Sequence, residues 1–312
     1  MTIPDKLLVT AVIPTRNRHQ LVTHAVRSAL RQTYRNLEVV VVIDGADPKT
    51  EESLSRLADS RLRVIALPES SGPAAARNIG VAAARGEWIA FLDDDDQWLP
   101  EKIELQMAIA RKSRHPLPIV SCRFFAHTPE RDYVWPRRLL SEGENVSDYL
   151  FRRRNIFQGE GFIATPTLLI KRELLMRMPL NGSLKKHEDW DWMIRVATLK
   201  GVRFEFSQKP LVIVRMGANH QGLSNSDDWR HSLDWIRERR KYVTPQAYAA
   251  FILTVVADQA SRQATLAEYL TLPVESWRNG APDLFHFLLY TGMAVLPRRA
   301  RHNLRQLFKK RV

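Results

Sequence analysis

The sequence predicts an α/β fold in which a doubly wound mixed sheet is flanked by helices and followed by a helical C-terminal extension. Segments of strand and helix character alternate between residues 7 and 92. The strand segments are unbroken apolar runs, which is typical of parallel strands covered on both faces. Polar loops follow three of these runs, at residues 15–18, 44–45 and 93–96. Ligands of such sheets bind beyond the carboxyl ends of the strands, so these loops form the candidate site.

Each element of the first half rests on a local pattern. The strands are short apolar runs rich in β-branched residues: residues 7–13, 37–43, 62–66 and 88–92. The helices show helical spacing of apolar side chains: residues 19–32, 51–57 and 72–86. The last of these begins at Gly72-Pro73, and proline is well tolerated in a first helical turn.

The pattern becomes less regular after residue 96. We predict strands at residues 119–125, 162–170, 202–206 and 211–215, a helix at residues 187–199, and helices from residue 227 onward. The predicted organisation is a catalytic domain at residues 1–225, with halves at 1–96 and 97–225, and a basic helical extension at residues 226–312.

Composition bounds the possible partners. The 312 residues include 47 Lys+Arg and 34 Asp+Glu, a formal net charge of +13. Such an excess attracts nucleic acid, an anionic membrane surface or a phosphorylated substrate. The single cysteine, Cys122, forms no intramolecular disulfide, which fits a reducing compartment. With no signal-peptide pattern and no apolar run of about 18 residues, we expect a cytoplasmic protein, soluble or peripheral on the inner face of the membrane.

Four consecutive aspartates follow the fourth predicted strand, at residues 93–96. Like charges this close repel one another and raise each other's pKa unless a cation neutralises them. Oxygen ligands suit a hard divalent cation, Mg²⁺ or Mn²⁺. The alternative interpretation is a solvated acidic loop or a helix cap, because aspartate favours both.

Five segments together resemble the family 2 glycosyltransferases, which have the Rossmann-like GT-A fold. In the family's order they are VIPTRNR at 12–18, VVIDG at 41–45, GPAAARNIG at 72–80, GEWIAFLDDDD at 86–96 and EDWD at 188–191. The resemblance covers roughly the first 220 residues. One departure is that the family's Asp-Asp-Gly-Ser after the second strand is Ile43-Asp44-Gly45-Ala46 here.

The resemblance implies an inverting, metal-dependent transferase. It would move a sugar from a nucleotide diphosphate donor to a hydroxyl of a glycan or lipid-linked acceptor, in cell-envelope polysaccharide synthesis. Pro14, Thr15 and Arg18 would line the nucleoside pocket. Asp44 would accept a hydrogen bond from the base, and since uracil and thymine carry an imide N–H, UDP or dTDP is the favoured nucleotide. Arg77, near a helix N-terminus, would contact the diphosphate.

The same resemblance divides the aspartates. Asp95 would bind Mn²⁺ or Mg²⁺, with His220 as a further ligand, and Asp93 would orient the ribose or the waters of the metal. Asp96 also fits the family pattern. Asp94 stands among the donor-binding residues at the variable position, so we predict that it is the most replaceable of the four.

The acceptor side centres on the EDWD segment. By resemblance, Asp189 is the general base that takes the proton of the acceptor hydroxyl. Glu188, Trp190 and Asp191 are weaker candidates for acceptor binding. Trp98, like Trp190, is a candidate to stack on a sugar face.

The C-terminal segment suggests a membrane surface. No acidic residue occurs between Leu284 and Val312, and an apolar stretch at residues 284–296 precedes seven Lys and Arg residues. Apolar side chains followed by cations are typical of an interfacial anchor. The alternative is a helix packed on the rest of the protein, with a solvated tail.

Other function classes are weaker. A sugar nucleotidyltransferase would be expected to have a glycine-rich phosphate loop after the first strand, and residues 14–18 contain no glycine. A dinucleotide dehydrogenase would carry Gly-x-Gly-x-x-Gly after the first strand, and this chain has no such motif there. A nucleic-acid-binding protein would have aromatic residues interleaved with its cations. The cations here do not follow that pattern, so nucleic acid is not expected as a partner. A non-catalytic sugar-nucleotide binder need not retain Asp93, Asp95 and Asp189.

Overall fold

The computed structural model describes residues 7–128, 131–156, 160–216 and 228–295. The chain forms two compact units. The first comprises residues 1–136 and 163–220, and the second comprises residues 137–162 and 221–312. Residues 137–162 thus group with the C-terminal helices. The domain boundary after residue 225 stays a prediction.

Strands and helices alternate through the first half, as the sequence predicts. The strands are β1 (Val9–Thr15), β2 (Leu37–Ile43), β3 (Leu62–Ala66), β4 (Trp88–Phe91), β5 (Gln97–Trp98), β6 (Leu117–His127), β7 (Asp132–Trp135), β8 (Leu169–Lys171) and β9 (Val202–Arg215). The helices are α1 (His19–Leu30), α2 (Pro48–Ser55), α3 (Pro73–Ala83), α4 (Lys102–Lys112), α5 (Val146–Phe151), α6 (Arg172–Arg177), α7 (Glu188–Val196), α8 (Trp229–Glu238), α9 (Pro245–Phe251), α10 (Ala257–Ala260), α11 (Leu266–Asn279) and α12 (Leu284–Val295).

The described strands of the first unit form one mixed sheet in the order β3-β2-β1-β4-β8-β6-β9-β5, with β7 beside β6. Strands β1 to β4 pair in parallel, whereas β8 is antiparallel to both β4 and β6. Every residue of β1 and β2 is buried, as expected for strands covered on both faces. The loops after β1, β2 and β4 therefore share one edge of the sheet.

Two strand predictions in the second half are wrong in detail. The strand predicted at residues 162–170 is only β8, and a 3₁₀ turn at Thr165–Thr167 precedes it. Pro166 lies in that turn, and proline cannot donate to a strand ladder. Conversely, the strands predicted at 202–206 and 211–215 are one strand, β9, whose pairing register with β6 shifts near Pro210.

Helix α3 packs unusually close to the sheet. A Cβ added to Gly80 would lie 2.4 Å from Cγ1 of Val12 on β1 and 3.3 Å from Cγ2 of Val42 on β2. Only glycine allows this approach without a shift of the helix, because real Cβ atoms do not come so near. The close contact fixes α3 over the strand ends that carry the candidate site.

The second unit is helical, which confirms the predicted helical C-terminal region. Helices α9 and α10 are joined by a π-helical segment, Ile252–Val256. The ring of Phe251 packs against Phe151 at 5.0 Å and against Trp235 at 5.2 Å between centroids. These aromatic contacts form the core of this unit. No helix among the described residues is long and apolar enough to cross a membrane.

Candidate active site

The loops after β1 and β4 are joined through Asp94. Its Oδ2 accepts a hydrogen bond from Thr15 Oγ1 at 2.8 Å, and its Oδ1 accepts one from Arg18 Nη1 at 3.0 Å. The same Arg18 nitrogen lies 3.0 Å from Oδ2 of Asp95. The structure thus brings together four residues that the sequence assigns to the donor and metal. Removal of Asp94 would take the acceptor from Thr15, whereas Arg18 would keep Asp95. That Asp94 is the most replaceable aspartate stays a prediction.

Asp96 is the most buried carboxylate of the acidic run, with 4% of its surface exposed. It accepts a hydrogen bond from the backbone N–H of Arg215 at 3.0 Å. Burial, together with repulsion from Asp93 and Asp95, raises the pKa of Asp96 well above its usual value. Burial also raises the pKa of Asp94 to about 6, although Arg18 opposes it. The acidic run therefore carries negative charge that its protein neighbours compensate only in part.

A divalent cation fits the chemistry of this donor set. The carboxylate oxygens are hard ligands of the kind that Mg²⁺ and Mn²⁺ prefer. Among the described residues, no group of three or more His, Cys, Asp and Glu side chains is arranged to hold a metal ion. His220, the second predicted ligand, lies outside the described residues. In the described part of the chain, the acidic run thus offers oxygen donors of the right kind but no preformed set of three ligands.

Asp44 binds the loop that leads into α3. Its two carboxylate oxygens accept hydrogen bonds from Ser70 Oγ at 2.8 Å, from the Ser71 amide at 2.6 Å and from the Gly72 amide at 3.0 Å. Burial alone would raise the pKa of Asp44, but these hydrogen bonds outweigh it and hold the pKa below its usual value. Asp44 is thus ionised and fixes the start of α3. The sequence-based prediction assigned no role to Ser70 and Ser71, although Ser-Ser-Gly-Pro before a helix is a recognisable start signal.

Arg77 on α3 connects the two halves of the candidate site. Its side chain is buried, with Nη2 donating to Asp93 Oδ1 at 2.6 Å and Nη1 lying 3.7 Å from Glu188 Oε1. Its Nε and Nη1 have no hydrogen-bond partner within the described part of the chain. One guanidinium therefore stands between the acidic run after β4 and the acidic start of α7.

Helix α3 makes a second link toward α7. Asn78 donates from its side-chain amide to the Leu180 carbonyl at 2.8 Å and accepts from the Leu180 amide at 3.1 Å. The Asn78 side chain thus makes two hydrogen bonds to the backbone of the segment that leads to α7. Asn78 lies within the GPAAARNIG segment at 72–80, and the sequence alone predicts no role for it. Its position beside Arg77 indicates that α3 positions the start of α7.

Helix α7 begins with a strained residue. His187, its N-cap, has φ of 66°, a left-handed conformation that is uncommon for residues other than glycine. Its ring stacks on Trp190 at 5.1 Å with an interplanar angle of 9°. Strain of this kind persists only where surrounding contacts hold it, and it clusters at functional sites.

Asp189 lies one residue into α7 and is only partly exposed. Its Oδ1 accepts a hydrogen bond from the Trp190 amide at 2.7 Å. Burial and repulsion from Glu188 raise the pKa of the Asp189 carboxyl to about 7, whereas the charge of Arg77 lowers it. A carboxyl group with a pKa near neutrality is well suited to accept a proton as a general base.

Two predicted contact residues belong to the core instead. Asp191 is completely buried and forms a 2.7 Å ion pair with Arg195 one turn further along α7, so it does not face an acceptor. Trp98 is 3% exposed and donates from Nε1 to the Pro166 carbonyl at 3.0 Å, so it does not stack on a sugar. Trp190 remains partly exposed. Pro14 is buried within β1, opposite Val42.

Comparison with known proteins gives one family. The model of the family described as glycosyl transferase family 2 matches residues 10–178. The amylovoran biosynthesis glycosyltransferase AmsB of Erwinia amylovora is 28% identical over 292 residues, covering 86% of this chain and 92% of the relative.

Solved structures share the fold. TarS 1–349 of S. aureus in complex with UDP-GlcNAc superposes with a TM-score of 0.52 at 19% identity, over 88% of this chain and 72% of that one. The mannosyltransferase PcManGT of Pyrobaculum calidifontis, in complex with GDP-Man and Mn²⁺, gives 0.53 at 18% identity, over 97% and 81%. At such identities the likeness concerns the fold, which is the one that the resemblance implied.

Proposed function

This chain belongs to glycosyl transferase family 2, and from that premise we propose an inverting, cation-dependent enzyme. It would transfer a sugar from a nucleotide diphosphate donor to a hydroxyl of a glycan or lipid-linked acceptor. The observation that carries the proposal is the Arg77 link, in which one buried guanidinium contacts Asp93 and faces Glu188. Such a transferase needs a donor-binding acidic run and a base held at fixed separation.

In the proposed reaction, Asp189 takes the proton of the acceptor hydroxyl. The acceptor oxygen then forms a bond to the anomeric carbon as the bond from that carbon to the diphosphate oxygen breaks. The nucleoside diphosphate leaves on the opposite face, and a single displacement of this kind inverts the anomeric configuration. A pKa of about 7 for Asp189 supports this role, because the carboxylate is available near neutral pH and is basic enough to hold the proton.

The donor diphosphate would lie near Arg77 and the acidic run. The buried Nε and Nη1 of Arg77, which lack partners among the described residues, are donors that an anion would satisfy. Asp95 would hold the cation, with Asp93 orienting its waters or the ribose. When bound, Mn²⁺ or Mg²⁺ would offset the negative charge that develops on the departing diphosphate. The Mn²⁺ complex of PcManGT supports the choice of a divalent cation.

A UDP- or dTDP-sugar is the proposed donor, with Thr15, Arg18 and Asp44 at its nucleoside. UDP-GlcNAc is bound in TarS and GDP-Man in PcManGT, so the proposed base rests on the Asp44 carboxylate, which would accept a hydrogen bond from an imide N–H. The link of AmsB to amylovoran biosynthesis favours a cell-envelope polysaccharide as the product. We place the protein in the cytoplasm, peripheral on the inner face of the membrane, where a lipid-linked acceptor would be exposed.

A donor screen tests the proposal. The full-length protein is incubated with UDP-, dTDP- and GDP-sugars, with and without Mn²⁺, and nucleotide release is measured. Release should require both Mn²⁺ and Asp95, so activity that persists in Asp95→Ala would overturn the metal assignment. Asp189→Asn should abolish turnover. The matched control is Glu51→Gln, which neutralises an exposed first-turn carboxylate on α2 and should leave the rate unchanged.

A further inference from the structure

Helices α11 and α12 of the second unit each expose a line of large apolar side chains. On α11 these are Leu266, Leu270, Val274 and Trp277, and on α12 they are Leu284, Leu288 and Val295. All seven are between 48% and 76% exposed. Their spacing of three, four or seven residues puts each set on one face of its helix.

Aromatic side chains connect the two helices. Tyr269 stacks on Tyr290 at 4.6 Å, and each hydroxyl donates to the backbone carbonyl of the other residue. Further along α11, Trp277 contacts Phe287, with 6.4 Å between ring centroids. Trp277 of the α11 line thus contacts Phe287, the neighbour in sequence of Leu288 on the α12 line. We call the two lines together the α11–α12 apolar face.

We propose that the α11–α12 apolar face docks on the surface of an anionic lipid bilayer. Seven exposed large apolar side chains on two helices, one of them a tryptophan, are unusual for a surface that contacts only water, and tryptophan favours the boundary between lipid head groups and acyl chains. His286 and Tyr290 anchor the opposite side of α12 inside the unit. The helix is therefore both packed and exposed, which combines the two interpretations of this segment.

The positive charge of residues 284–312 favours an anionic lipid surface as the partner of this face. The chain from Leu284 to Val312 contains no Asp or Glu, and seven Lys and Arg residues follow α12 in sequence, at positions 298, 299, 301, 305 and 309–311. Cations next to an apolar interfacial helix add attraction to anionic head groups, and neither signal alone gives stable attachment. The inference rests on the proposed peripheral placement and supplies the surface for it.

Vesicle flotation of the full-length protein tests this inference. Phosphatidylcholine vesicles mixed with phosphatidylglycerol should carry the protein upward, whereas phosphatidylcholine alone should bind it weakly. The variant Leu270→Ser/Trp277→Ser should lower partitioning into the mixed vesicles by about tenfold or more, because two large side chains lose their apolar contact. The matched control is Met176→Ser, an exposed apolar residue on α6 of the first unit, which should bind as the wild type does.

Three outcomes would overturn the proposal. They are unchanged flotation of the double variant, flotation that is indifferent to phosphatidylglycerol, and a wild-type dimer in sedimentation velocity that the double variant converts to monomers. The last would identify a second copy of the chain as the occupant. Nucleotide release measured without vesicles separates this question from the proposed function, because the double variant should retain it even where membrane binding is lost.

Discussion

Removing Arg77 should change the pH dependence of the reaction as well as its rate. The Arg77 guanidinium lowers the pKa of Asp189, against the burial and the Glu188 charge that raise it to about 7. In Arg77→Met this favourable charge is lost, while Asp93 and Glu188 remain nearby. The pKa of Asp189 should therefore rise further, and more of the base should be protonated at neutral pH.

The expected size follows from the structure. Loss of a neighbouring opposite charge raises a carboxyl pKa by about one unit at the low end of the usual range. Moving the pKa from about 7 to about 8 lowers the ionised fraction at pH 7 from about one half to about one tenth. The value of kcat/KM should then fall about fivefold at pH 7 from this cause and hardly at all at pH 9.

The assay is nucleotide release at saturating Mn²⁺ across the pH range, with the donor that the screen identifies. Arg77→Lys keeps the charge and should keep the acid limb near that of the wild type. Arg177→Met, which removes an exposed cation at the end of α6, should do the same. An acid limb that does not move in Arg77→Met would refute the reasoning, whatever the loss in rate.

Three further predictions concern stability. Asp94→Ala should lower the free energy of unfolding by about 1 kcal/mol, since the buried Thr15 hydroxyl loses its acceptor while Arg18 keeps Asp95; a change near zero in urea denaturation would support the prediction that Asp94 is replaceable. Asp191→Asn should cost about 3 kcal/mol by breaking the buried pair with Arg195, yet leave the KM for the donor unchanged. Burial lowers the pKa of Lys102 to about 7, so the folded state binds fewer protons than the unfolded state, and stability should rise by about 1.4 kcal/mol per unit between pH 7 and about 9. Above that range burial also raises the pKa of the Cys122 thiol, which opposes the rise. Lys102→Met should flatten that rise in thermal melts, and a slope equal to that of the wild type would contradict it.

The parallel half of the sheet was predictable because its signal is local. Strands β1 to β4 are apolar runs bounded by polar loops, and each agrees with its prediction to within two residues at either end. Helix α4 was not predicted from the sequence, because Lys102 and Gln106 occupy buried positions on it. Their hydrogen bond of 2.7 Å satisfies polar groups where an amphipathic pattern would show apolar ones, so the helical period is hidden.

The site was predictable as a set of loops and not as a set of contacts. Strand ends on one edge imply that the segments around Thr15, Asp44 and Asp94 meet. The periodicity of the sequence does not predict which carboxylate an arginine contacts. The contacts of Arg77 with Asp93 and Glu188 are therefore known only from the fold. The same holds for Asp191, whose partner Arg195 is near in sequence but whose burial depends on distant packing.

The close seating of α3 on the sheet has a consequence for how this enzyme can evolve. Gly80 lies three residues after Arg77, where even a methyl group would collide with Val12. A larger residue there would lift the helix and carry the guanidinium with it, changing its separation from Asp189. The pKa of Asp189 thus depends partly on the distance between α3 and the sheet, at an apolar contact that lies away from the polar residues of the site. A substitution in the core can retune the chemistry while every polar residue of the site stays the same.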